Sequence, residues 1–201
     1  MYEKIKLLSQ ELEKSQQIQV EKNRIENGID DFHQSVLKGV NLSLDETLLE
    51  FYQSLNGCYI KWQHIEKEEK ETNEETNLSI AGEIRIASIS DLLFPKLKIT
   101  QQYQDQFLED EVEDLQNFRV FDNSDDYMRV GFLIEDGIIK SDLYYVLEDA
   151  EGFSELPFSF KEYLELMIQY KGMYYWQYAI TMDDQDFKAK AANYIKEIFG
   201  K

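Results

Sequence analysis

Asp122, Ser124 and Asp126 stand at alternate positions, which is how a calcium-binding loop begins. Such a loop also needs a glycine at its sixth position and a chelating glutamate at its twelfth. Here the sixth is Tyr127 and the twelfth is Leu133, whose side chain cannot ligate a cation, so the spacing predicts a turn rather than a metal site. The only histidines are His33 and His64. Neither has a cysteine or a second histidine at metal-ligand spacing, so both read as structural or merely exposed. A phosphate-cradling glycine loop, a dinucleotide fingerprint and a nucleophile elbow are all missing from the sequence. Aspartate and glutamate number 40, so two neighbouring carboxylates say nothing about acid–base work. The reading is therefore a chain without catalytic, metal-binding or cofactor-binding residues. The single cysteine, Cys58, excludes an intrachain disulfide and fits a reducing cytoplasm, where it would serve as a small buried apolar residue.

What remains is the chemistry of binding. Met173-Tyr174-Tyr175-Trp176-Gln177-Tyr178 is a dense aromatic cluster. Tyrosine and tryptophan offer large contact area with a polar handle, so Tyr174, Tyr175 and Trp176 could form a protein-binding platform; equally, they could close the core at a strand or turn. A second candidate is the acidic stretch Glu109, Asp110, Glu111, Glu113 and Asp114, continued by Asp125 and Asp126. It reads either as a solvated helix face or as a surface that meets a basic partner. The run 66–76 contains no apolar residue, so it can bury nothing and reads as a solvated loop.

The net charge of −19, from 40 acids against 21 bases, excludes nucleic-acid binding through counterion release. It supports solubility, and it would also steer a basic protein partner toward the chain. No apolar run reaches the roughly 20 residues that a membrane span requires. The start, Met1-Tyr2-Glu3-Lys4, lacks the basic and apolar regions of a secretory signal, so the expected compartment is the cytoplasm.

Several elements could position these residues. Residues 2–25 read as one long polar helix with a thin stripe of Ile5, Leu8, Leu12, Ile18 and Ile25, a stripe that leaves self-association open. A second helical pattern runs through Ile29, Phe32, Val36 and Val40, interrupted by Gly28. Ser43 and Glu46 suggest a capping box ahead of a helix carrying Leu44, Leu48, Phe51 and Leu55 on one face, with Asn56-Gly57 as its stop. Strands are expected over 58–65, around Ile84 and Ile86, over 118–122, and over 127–134 and 138–147, the last two joined by Glu135-Asp136-Gly137. Ser90-Asp91 opens a short helical turn ended by Pro95. Ser159 and Glu162 form a capping box for a helix with Phe160, Tyr163, Leu164, Met167 and Ile168 inward, ended by Gly172. Asp183 caps a last helix. Helices, then antiparallel strands, then helices imply an α+β fold with helices packed on one face or end of an antiparallel sheet.

The helix ending at Asn56-Gly57, the aromatic strand through Tyr59 and Trp62, the middle strand 118–122, the Glu135-Asp136-Gly137 hairpin and the closing Leu156-Pro157-Phe158-Ser159-Phe160-Lys161-Glu162-Tyr163-Leu164 together resemble the SUKH superfamily. That superfamily contains yeast cell-wall-synthesis regulators of the Smi/Knr type and many bacterial toxin-immunity proteins. The resemblance covers roughly 42–172. It implies a helical N-terminal extension at 1–41 and a SUKH-like domain at 42–201, with its core at 42–172 and a C-terminal helix at 183–199. It also implies a non-catalytic protein that binds a partner, either a polymorphic toxin such as a basic nuclease or an endogenous partner of a regulatory scaffold.

Overall fold

The computed structural model describes residues 1–65, 80–95, 115–124, 127–147 and 153–200. Helices flank a curled mixed sheet, which is an α+β architecture with helices at both ends of the chain. The elements in chain order are α1 (Tyr2–Lys14), β1 (Ile18–Asn27), α2 (Asp31–Gly39), β2 (Ser43–Leu44), α3 (Glu46–Ser54), β3 (Leu55–His64), β4 (Ala81–Ile86), α4 (Ile89–Leu93), β5 (Phe118–Asp122), β6 (Met128–Glu135), β7 (Ile138–Leu147), β8 (Phe153–Glu155), α5 (Phe160–Gln169), α6 (Trp176–Thr181) and α7 (Gln185–Phe199). The strand order is β1-β3-β4-β5-β6-β7-β2, with β8 also on β7. All pairings are antiparallel except β2 with β7, which makes the sheet mixed.

The long helix expected over 2–25 is two elements. The helix stops at Lys14, and 18–27 is a strand paired antiparallel to β3. Ile5, Leu8 and Leu12 do form the buried stripe of α1. Beyond them the pattern changes to Ile18, Val20, Ile25, with charged residues between, and β3 supplies hydrogen bonds that a helix would have satisfied internally.

Local capping also departs from the sequence reading. Asp45, not Ser43, caps α3: its Oδ1 accepts from the Leu48 N–H at 2.9 Å and its Oδ2 from the Ser141 N–H at 2.6 Å. One carboxylate thus ends a helix and ties it to β7, while Ser43 joins β2. Asn56-Gly57 does not stop α3, because the chain is already extended at Leu55. Gly57 instead takes φ +97° inside β3, where a Cβ would lie 2.9 Å from Ser88 N and 3.0 Å from Ile86 O. Asp184, one residue after the expected Asp183, caps α7. Ser88 rather than Ser90 opens α4. The Ser159–Glu162 capping box of α5 is present as read. So is the β6–β7 hairpin, with Asp136 at φ 51° and Gly137 at φ 77°, the paired positive values that a tight hairpin turn requires.

The core lies between the inner face of the sheet and the helices. Phe51 of α3, Phe121 of β5, Phe132 of β6 and Phe160 of α5 meet with ring centroids 4.9–5.8 Å apart, so four elements are locked by one aromatic hub. Trp62 and Trp176 are each 1% exposed. No helix among the described residues is long and apolar enough to cross a membrane.

Candidate functional site

Alternation along β3 and β4 sorts their side chains. Cys58, Ile60, Trp62, Ile84 and Ile86 point into the core. Tyr59, Lys61, Glu83 and Arg85 point to the other face, because successive residues of a strand project to opposite sides. These four line a surface cleft of about 430 Å³, together with Asn123, Ser124, Tyr174 and Tyr175. The cleft exists because β5 meets β4 only at Ile86–Asp122. Lower down, the edge of β4 is taken by the loop after α5: Glu83 N–H donates to Gly172 O at 2.8 Å, and Tyr174 N–H donates to Ala81 O at 3.1 Å. Between these two neighbours the sheet opens.

The loop is held from beneath. Trp62 Nε1–H donates to Lys171 O at 2.8 Å. Lys171 Nζ reaches Glu11 Oε2 at 2.6 Å and lies over the Phe199 ring. Gly82 permits this approach, since a Cβ there would be 2.6 Å from Gly172 O and 2.7 Å from the Trp62 ring. Lys171, Gly172 and Tyr175 all have positive φ, so the loop is a left-handed turn clamped to the sheet.

The charges in the cleft alternate. Lys61 Nζ is 3.4 Å from Glu21 Oε2 of β1. Tyr174 OH donates to Glu83 Oε2 at 3.4 Å. The Arg85 guanidinium sits over the Tyr59 ring, 5.5 Å from its centroid. Tyr174 and then Glu21 raise Lys61 above the ordinary lysine value. Partial burial, then Glu83, raises the Tyr174 phenol. Lys61 acts on Tyr174 in the opposite sense, favouring its ionised form, so the two groups are coupled across the cleft.

Under the floor lies a buried polar network. Asp122, fully buried, accepts from the Ser124 backbone N–H at 2.9 Å and from the Ser124 hydroxyl through Oδ1, and from Tyr163 OH at 2.8 Å through Oδ2. Gln177 Nε2 donates to Tyr163 OH at 3.1 Å, and Ser124 Oγ accepts from Arg85 N–H at 2.8 Å. The network links β4, β5, α5 and α6, so the cleft floor is fixed to the closing helix. No group of three or more His, Cys, Asp or Glu able to hold a metal occurs among the described residues.

The structure divides the aromatic cluster. Trp176 belongs to the core, packed between Tyr163 and Tyr170. Tyr174 is half-buried in the cleft wall, and Tyr175 is 55% exposed at its rim. Glu109, Asp110, Glu111, Glu113, Asp114, Asp125 and Asp126 lie outside the described residues, as does the 66–76 run. His33 bridges Asp30, at 2.6 Å, and the buried Asn56, at 3.2 Å, which joins α2 to the start of β3. Sequence reasoning did not single out Tyr59, Lys61, Glu83, Arg85, Asn123 or Ser124 as site residues. The signal was the polar half of two alternating strands, which reads as solvent-facing until a loop from elsewhere in the chain walls it in.

No family model matches the chain, and neither a characterised protein nor a solved structure is significantly similar to it.

Proposed function

We propose that the chain is a non-catalytic protein-binding domain of the SUKH type, a bacterial immunity protein that binds a cognate toxin in the cytoplasm and covers its working surface. The observation that carries this reading is Tyr175, a bulky residue held at φ 66° and still 55% exposed at the cleft rim. A left-handed backbone costs a non-glycine residue about 1–2 kcal/mol. Residues held in such conformations concentrate at ligand clamps and other functional sites. Displaying an aromatic ring beside Arg85 and Tyr59 gives that cost a use, since tyrosine and arginine dominate the energetics of protein interfaces.

The element order supports the same reading. Helix α3 runs directly into the aromatic β3, an antiparallel run follows, and α5 closes it behind a capping box. Two roles then separate. The acid surplus of the chain steers a basic partner, while the alternating charges of the cleft fix register and reject wrong partners.

The test is capture by the tagged full-length chain from lysate of its native cell, at about 0.05 M and about 0.3 M salt. The expected result is one basic partner with a nuclease-like domain, held less at the higher salt. Arg85→Glu and Tyr175→Ala should each weaken its capture by about tenfold or more. A cell-envelope or housekeeping partner, indifferent to salt, would replace immunity by scaffolding. Undiminished capture by both variants would remove the cleft from the interface.

A further inference from the structure

Strand β1 is one end of the sheet's strand order, and among the described residues no strand pairs with its outer edge. The edge is ten residues long, and an exposed edge of that length is a template for another strand. Which strand fits is set by the phase of its free backbone groups. Ile65 N–H donates to Gln17 O, so Gln17 and, two residues on, Gln19 turn their backbone groups toward β3. A bulge at Glu21 then shifts the register, after which Lys22 and Arg24 face β3. The groups left facing outward belong to Ile18 and Val20 before the bulge, and to Asn23 and Ile25 after it. Val20 and Asn23 are three positions apart, where a regular strand offers outward groups every second position. An ordinary extended peptide therefore loses phase across the bulge. A strand with the same bulge, running antiparallel, keeps it.

We infer that β1 is a self-complementary edge that pairs with β1 of a second copy of this chain, the two-fold axis passing between Glu21 and Lys22. In that register Ile18 and Val20 of one copy form the hydrogen-bonded pairs with Ile25 and Asn23 of the other. Glu21 then stands opposite Lys22, and Gln19 opposite Arg24, so unlike charges face each other at the centre. The faces agree as well. Ile18, Val20, Asn23 and Ile25 lie opposite β3 residues of the core side, whereas Lys22 and Arg24 lie opposite the outward Lys61 and Tyr59. Pairing thus continues both faces of the sheet, and the interface is isologous, the usual arrangement in a homodimer.

The opposing force is the mutual repulsion of two copies at −19 each, so the measurement belongs at about 0.15 M salt, where charge is screened over about 8 Å. Light scattering on the eluting full-length chain should give twice its 23.9 kDa mass as concentration rises. Glu21→Lys places like charges across the axis and should weaken dimerisation by about tenfold or more. Combining Glu21→Lys with Lys22→Glu restores the complementarity and should restore the dimer. The register is read by Gln19→Cys together with Arg24→Cys, which stand opposite each other in the paired strands and should give a reducible covalent dimer under mild oxidation. Gln19→Cys alone should not cross-link, because its own copies are about 17 Å apart at 3.3 Å per residue. A monomer at every concentration up to about 0.5 mM, a dimer indifferent to Glu21→Lys in a chain of unchanged thermal midpoint, or a dimer that the cysteine pair fails to trap would each overturn the inference.

Discussion

The two faces of the β3–β4 ribbon, made from the same sixteen residues, do different work. On the inner face Ile60, Trp62, Ile84 and Ile86 are 0–4% exposed and belong to the main core. On the outer face Tyr59, Lys61, Glu83 and Arg85 wall a polar cleft. A change of volume on the inner face is felt at once, since interiors are packed like crystals. The outer face is held by pairwise charges and one cation–π contact, each worth about 1 kcal/mol or less at an exposed site. Alternation therefore separates stability from recognition one residue at a time. The separation leaks at Trp62 of the ribbon and, in the neighbouring β5, at Asp122, where an inward group holds part of the cleft in place.

Trp62→Ala should be the most damaging change. It empties a site that is 1% exposed, removes the Phe199 edge contact and orphans Lys171 O. The expected loss is about 3–5 kcal/mol in denaturant unfolding. Trp62→Phe keeps most of the volume and should lose only about 1–3 kcal/mol, the cost of the unpaired carbonyl. It should still weaken partner capture, because the loop that displays Tyr174 and Tyr175 loses its anchor. Capture unchanged in Trp62→Phe would mean that the loop is positioned by β4 alone.

Asp122→Ala comes next. Ser124 and Tyr163 both lose the buried carboxylate they donate to, which predicts a loss of about 2–4 kcal/mol. A Tyr163→Phe background should make the Asp122→Ala change milder, since one of the stranded donors is already gone. A double-mutant cycle reads that coupling directly.

Cys58 tests the inner face without altering it. Burial pushes its thiol up from 9.0 to about 12, so it stays protonated and unreactive in the folded chain. A thiol reagent at pH 8 should label it only at the rate of unfolding. The sign of the pH effect follows from the raised value. The stabilisation is complete below the unfolded thiol's pKa near 9, and is lost as pH rises from there toward 12. Rapid labelling of the native chain would show that β3 opens locally.

Much of this architecture was legible in the sequence where a residue pattern has one physical meaning. The Ser159–Glu162 box, the Asp136-Gly137 turn and the Ile84/Ile86 alternation each gave the element they imply. Reading failed where satisfaction came from a distance. Residues 18–27 carry enough scattered apolar positions to continue a helix, and only β3 makes them a strand. Asp45 outcompetes Ser43 as a cap because Ser141 needs the same carboxylate. The cleft was illegible for a similar reason: its walls come from β3, β4, the end of β5 and the turn at Tyr174-Tyr175, which no local spacing connects. Trp176 and Tyr175 are neighbours in sequence, yet one is core and the other rim: Tyr175 is the left-handed residue ahead of α6, and Trp176 is the helix's first, buried residue.

The smallest expected effect is also the most discriminating. Tyr175→Gly relieves about 1–2 kcal/mol of backbone strain and gives back about 0.5–1 kcal/mol through the freer unfolded chain. The ring is mostly in solvent, so little packing is lost. The net change should lie between zero and about 1.5 kcal/mol of added stability, while partner capture falls. A residue selected for the fold alone would behave in the opposite way, with stability lost and binding retained. Measured side by side, unfolding and capture by this one variant show whether the strain at the cleft rim serves a partner or only the turn into α6.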